Sequence, residues 1–177
     1  MMMNYTVIDN SNYVRRGDGV VIPDDQSNYD WQVYQTWLEA GNTPSPAPGP
    51  TKANLIAYTT AARDKILVAG IVVNVAASGH PTISIHCDGL PQTRHDLNGF
   101  CAWGLDQVAR GLTEKRDWFD NGWNKYTLTG AQCVALAVPV GTWSDKVFGA
   151  AQSLIEQINS GAITTLAQID AATWPTS

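Results

Sequence analysis

Pro44-Ser45-Pro46-Ala47-Pro48-Gly49-Pro50 places four prolines and a glycine within seven residues. Each proline locks φ and removes a backbone donor, so the run continues neither a helix nor a strand. With no apolar periodicity either, it reads as an extended, semi-rigid spacer. The spacer parts an N-terminal segment, 1–43, from a domain, 51–177, with 44–50 as the linker. The expected class is α+β: a small N-terminal β-hairpin with a short helix, then a compact domain whose small antiparallel sheet is packed by helices.

Before the spacer, Tyr5-Thr6-Val7-Ile8 and Tyr13-Val14-Arg15-Arg16 read as short strands. Gly17-Asp18-Gly19 is a turn leading to Val20-Val21-Ile22, which Pro23 stops, so a hairpin or meander is expected. Ser27 or Asn28 is a candidate helix cap, and Asp30 adds negative charge to the first turn. Trp31, Tyr34, Trp37 and Leu38 recur at i, i+3, i+6 and i+7, one face of a short helix that ends at Gly41.

After the spacer, Thr51 caps a predicted helix from Lys52 to Ala69, with Ile56, Ala62, Ile66 and Ala69 as its apolar face and Gly70 as its end. Ile71-Val72-Val73-Asn74-Val75 is a β-branched run. Ser78-Gly79 is a turn, and 82–87 alternates as a second strand. Asp88-Gly89-Leu90-Pro91 opens a helix reaching Arg110. A third strand is expected in the second half of Asp117–Thr127. Thr129 with Gln132, and Thr165 with Gln168, have capping-box spacing. Between them Val147, Phe148, Ala151, Leu154, Ile155 and Ile158 mark a long helix, which Pro139 is expected to break or kink and Gly161 to close. Trp174 is expected to pack back onto the domain.

Composition narrows the function. The formal net charge is -5, and no run of Lys or Arg exceeds the pairs Arg15-Arg16 and Lys115-Arg116. A duplex-binding face needs clustered cations, so no nucleic-acid partner is expected. The longest apolar stretch, Ile66 to Ala77, is too short for a membrane span. The N-terminus lacks the order of a secretory signal, and Cys87, Cys101 and Cys133 read as small buried hydrophobes in a reduced fold.

His86-Cys87-Asp88 followed by His95-Asp96 is the cluster that invites a metal or a nucleophile. Zinc spacings are absent from it, and on a strand His86 and Cys87 point to opposite faces. The plain reading is a buried Cys87, an open-face His86 and an Asp88 that caps a turn. Phosphate-loop, serine-hydrolase and zinc-protease motifs are absent. No catalytic residue, metal or cofactor is therefore expected.

Aromatics stand out, with seven Trp in 177 residues. A three-turn helix cannot bury Trp31, Tyr34 and Trp37 alone, so with Leu38 they are candidate partner-binding anchors. Trp118 and Trp123 are candidate surface-binding residues, whereas Trp103 and Trp174 read as core.

Taken in order, several stretches resemble a known family. They are Ala61-Ala62-Arg63-Asp64-Lys65 into Gly70-Ile71-Val72-Val73-Asn74, then Ile83-Ser84-Ile85-His86-Cys87-Asp88, then Trp123-Asn124-Lys125-Tyr126-Thr127-Leu128-Thr129. The series closes with Ile155-Glu156-Gln157-Ile158 and Leu166-Ala167-Gln168-Ile169-Asp170 through Trp174-Pro175. Together they resemble a domain of unknown function common at the C-terminal end of tailed-phage and prophage tail proteins. The N-terminal part, with Val21-Ile22-Pro23-Asp24-Asp25 and Gly41-Asn42-Thr43-Pro44, is similar to a segment often joined to such domains. His86-Cys87 departs from the small polar residue expected before the Asp, and no role is carried onto it.

The resemblance implies a non-enzymatic tail, tail-fibre or baseplate component, made in the bacterial host cytoplasm and located in the virion tail. It implies other tail or fibre proteins as partners and a homo-oligomer, with a trimer favoured. A fibre-assembly chaperone absent from the particle, a host-glycan-binding module and a small envelope hydrolase are the alternatives.

Overall fold

Gly17-Asp18-Gly19 does reverse the chain, and the strands around it form an antiparallel meander. Its strands are β1 (Tyr5–Val7), β2 (Tyr13–Arg16) and β3 (Val21–Pro23), hydrogen-bonded in the order β1-β2-β3. Val14 stands opposite Val7 and Ile22, which puts Tyr5, Val14 and Ile22 on one face. Helix α1 (Tyr29–Glu39) follows, capped by Asn28, whose Oδ1 accepts from the Trp31 N–H at 3.2 Å. Gly41 ends it at φ 85°, a conformation glycine adopts without steric cost. Arg16 joins the turn to the helix, pairing with Asp18 at 3.1 Å and Asp30 at 2.6 Å.

The computed structural model describes residues 3–8, 11–77 and 80–176. The chain divides into two compact units, Met1–Gly49 and Pro50–Ser177. The spacer is thus not wholly free. Ser45 makes a parallel bridge to Thr6, its N–H donating to Tyr5 O at 2.8 Å and its carbonyl accepting from Val7 N at 2.9 Å. Pro44 and Pro46 explain this. They keep the backbone extended while leaving Ser45 the one donor between them.

In the second unit, α2 (Lys52–Ala69) begins at the Thr51 cap, where the Asn54 side chain completes a capping box. Its buried face is Leu55, Thr59 and Leu67, offset from the face predicted: Ile56, Ala62 and Ile66 are half-buried and Ala69 is exposed. The core lies against that neighbouring stripe of the helix. Gly70, at φ 68°, lies so close to Cys87 that a Cβ would stand 2.4 Å from its carbonyl oxygen.

Strands β4 (Ile71–Ala77) and β5 (His80–Cys87) pair antiparallel with Val73 opposite Ile85. The predicted turn at Ser78-Gly79 lies outside the described residues. Helix α3 (Pro91–Ala109) carries Pro91 in its first turn, where no N–H is missed.

Two strands, not one, occupy the aromatic segment: β6 (Lys115–Phe119) and β7 (Lys125–Thr129) form a separate hairpin. Helix α4 (Gly130–Ser160) then runs 31 residues without a break at Pro139. The proline is exposed, while Leu136, Val140, Trp143 and Val147 on the adjoining stripe of the helix are buried. That burial, worth about 1.5–3 kcal/mol per large apolar side chain, outweighs the roughly 3 kcal/mol cost of an internal proline. A last helix, α5 (Leu166–Asp170), starts at the Thr165–Gln168 capping box.

The main core gathers Val73, Val75, Ile85, Leu128, Leu136, Val140 and their neighbours between the two hairpins and α4. A second cluster, Leu55, Leu154, Ile158, Ile163 and Ile169, fills the space among α2, α4 and α5, and Trp174 packs against both. Helices α3 and α4 meet where Gly104 faces Gly130, and a Cβ on Gly104 would lie 2.5 Å from the Gly130 carbonyl oxygen. The molecule is an α+β protein.

Candidate functional site

Asp120-Asn121-Gly122 is a turn sequence, since Asp and Asn bond their own backbone and Gly relieves sterics. It joins β6 to β7. Trp123 N–H donates to Asp120 O at 2.9 Å, and Asp120 N–H donates to Asn124 O at 3.2 Å. The Asp120 carboxylate fixes the rest of the loop. Its Oδ1 accepts from the Gly122 and Asn124 amides at 2.9 Å each, and its Oδ2 accepts from Tyr126 OH at 3.0 Å. The Asn124 side chain adds a donor to both oxygens. These bonds, the Asn124 side chain first among them, hold the Asp120 carboxyl below the ordinary carboxylate range.

At the end of this braced loop stands Trp123, 84% exposed and at φ 59°. A bulky side chain pays about 1–2 kcal/mol for left-handed backbone, and an exposed indole regains none of that by packing. Phe119, at the base of the loop, is 50% exposed. The indole is therefore displayed on a rigid support at a cost to the fold.

Asn121 Nδ2 reaches across to Asp88 Oδ2, while Asp88 Oδ1 accepts the Leu90 N–H at 3.0 Å. Asp88 is buried and takes the turn-capping role expected of it. Beside it Cys87 is buried, and burial, then the Asp88 and Asp120 charges, push its thiol up to about 12. Such a thiol is protonated and poorly nucleophilic at neutral pH. His86 is exposed and its Nε2 lies 2.8 Å from Ala69 O. Among the described residues no three His, Cys, Asp or Glu side chains converge to hold a metal ion, and no helix is long and apolar enough to cross a membrane.

The other candidates fall elsewhere. Trp118 is 6% exposed, edge-on to Phe100 at 5.1 Å, so it belongs to the core and not to the surface. Alternation along β6 explains the correction, since Trp118 points inward and Phe119 outward.

Of the α1 residues named as anchors, Tyr34 is taken up by the core of its own unit. Tyr34 is 6% exposed, and its ring lies 4.9 Å from that of Tyr5. Trp31, Trp37 and Leu38 pack half-buried on the same cluster. The helix cannot bury these rings alone, but the meander of its own unit supplies the missing surface. Sequence reasoning had the Trp123 indole but missed the Asp120 brace, for which Asp120-Asn121-Gly122 was the available signal.

The site thus defines a class: an α+β domain presenting a braced, aromatic-tipped hairpin. Residues 50–173 match the family described as Domain of unknown function (DUF4376), and the chain belongs to it. It matches no curated protein and no solved structure.

Proposed function

We propose that this chain is a structural binding component of a bacteriophage tail, associated with the fibre or baseplate, which docks onto neighbouring tail proteins through the β6–β7 tip. The observation that carries the docking reading is Trp123, an indole braced in left-handed backbone and left in solvent. Strain held at an exposed position motivates a functional reading, and Trp is the residue most enriched among interface hot spots. The resemblance of the 61–175 stretches to tail-protein domains supports the tail location. Asp120 and Asn124 spend their side-chain groups inside the loop, leaving the ring as its main offering. That favours an apolar pocket on a protein over sugar hydroxyls.

The test is quantitative mass spectrometry of purified particles carrying wild-type or Trp123→Ala chain. The expected result is wild-type chain at a small multiple of three or six, and loss of the variant from the particle. A hot-spot Trp is worth about 2 kcal/mol or more, roughly thirtyfold in affinity. Particles with normal fibres that lack the wild-type chain would replace this reading with the assembly factor. Equal incorporation of the variant would move docking away from Trp123.

A further inference from the structure

The two units treat their strand edges differently. In the first, Ser45 covers the outer edge of β1 with a parallel bridge. In the second, β4 pairs only with β5 among the described residues. In an antiparallel ladder every second residue turns its N–H and C=O away from the partner. No backbone group outside the β4–β5 ladder bonds to Ile71–Asn74 among the described residues. Natural folds usually cover or blunt such an edge, because it is a template for another strand.

Beside this edge runs an open groove of about 440 Å³. Its sheet side is the consecutive run Ile71–Asn74, the edge itself rather than one face. Its helix side is Pro139, Thr142, Trp143 and Lys146 of α4, whose spacing of i, i+3, i+4 and i+7 is a single helix face, and Thr176 near the C-terminus closes one end. A bare strand edge alongside a helix wall suits an added strand, whose main chain pairs with the edge while alternate side chains enter the groove.

One polar feature of the helix wall bears on what would lie there. Lys146 is exposed and has no ion-pair partner among the described residues, whereas the adjacent Asp145 is already held by Arg94 at 2.9 Å. The groove therefore offers unpaired backbone, an apolar floor that includes Trp143, and an available cation.

We infer that the groove between β4 and α4 receives an extended, acidic segment of a partner protein, added to β4 as a third strand with a carboxylate on Lys146. This surface is separate from the Trp123 tip and does not depend on the tail reading.

The probe is an immobilised library of random dodecapeptides, screened with the intact chain and with Thr142→Trp, which fills the groove from an exposed helix position. Peptides enriched on the wild type should be rich in Asp and Glu and be lost on Thr142→Trp. The best of them should slow amide hydrogen exchange across Ile71–Asn74. Lys146→Glu, with unchanged circular dichroism, should weaken it by about tenfold, the scale of a close charge pair reversed. Lys146→Glu also serves as the test if Thr142→Trp fails to fold.

Equal enrichment on Thr142→Trp, enrichment of basic peptides, or no enrichment at all would overturn the proposal. So would concentration-dependent dimerisation that protects Ile71–Asn74 without peptide, because a second copy would then be the occupant.

Discussion

Helix α1 and the β6–β7 hairpin carry the same sequence advertisement, aromatic residues bunched in a short stretch, and the fold uses them in opposite ways. On α1 the rings close a core. Among its described residues the first unit buries Tyr5, Val14, Ile22 and Tyr34, with Trp31, Trp37 and Leu38 packed around them. A unit of some fifty residues buries little surface, so a few rings of 150–250 Å² each must supply what a larger core draws from many aliphatics. Among its described residues the second unit has fifteen buried ones in its main cluster, which leaves one of its aromatics free for display. Bunched aromatics are therefore a binding signal only when the unit has enough other apolar surface to fold without them.

The sharpest attack on this comparison is Tyr34→Ala. Truncating a buried aromatic ring costs about 3–5 kcal/mol, while a unit this small holds about 0.05–0.15 kcal/mol per residue in total. The first unit should unfold as a whole and become protease-sensitive while 50–177 keeps its thermal transition. A folded first unit would show that its rings are not its core.

Trp118→Ala is the counterpart within the hairpin. It should destabilise the second unit by a similar amount, read as a lower denaturant midpoint, but leave that unit folded because its core is larger.

Trp123→Gly should act with the opposite sign. Glycine relieves left-handed strain at φ 59°, and at such a site the gain is about 0.5–1 kcal/mol. Urea unfolding should therefore show a slightly more stable protein that no longer binds its partner. A destabilised variant would mean that the indole packs where it is thought to be free.

The smallest effect concerns the brace. The folded-state carboxyl of Asp120 lies below its unfolded value, held chiefly by the Asn124 side chain. Its contribution is thus present above the unfolded value, about 3.9, and is lost as pH falls through the folded one. The NMR signal of the Trp123 indole N–H should move on acidification below that range, and Asp120→Asn should remove the titration. A signal that ignores pH would separate the brace from the ring it is meant to hold.

Most elements were legible because their signals are local. The cap at Ser27 or Asn28 (it is Asn28), the Thr51 cap, the two capping boxes, the ends at Gly41, Gly70 and Gly161, and the alternation of 82–87 each depend on residues close together in the chain. The α2 face was read only in part, because Leu55 beside Ile56 and Leu67 beside Ile66 are equally apolar, and only the packing of the other elements selects between them. Of the break or kink expected at Pro139, a break does not occur, for a similar reason. A proline's cost is local, while the burial that offsets it belongs to the whole of α4.

The candidate site divides along the same line. By itself the sequence determined that the aromatics matter, that Asp88 caps a turn and that Cys87 is buried, since composition, turn chemistry and strand parity are carried by neighbouring residues. Only the tertiary structure decided which indole stays in solvent, that Ser45 closes one strand edge and that β4 is left open. Those outcomes depend on what lies across from a residue in space, and that is set by register and packing between segments far apart in the chain.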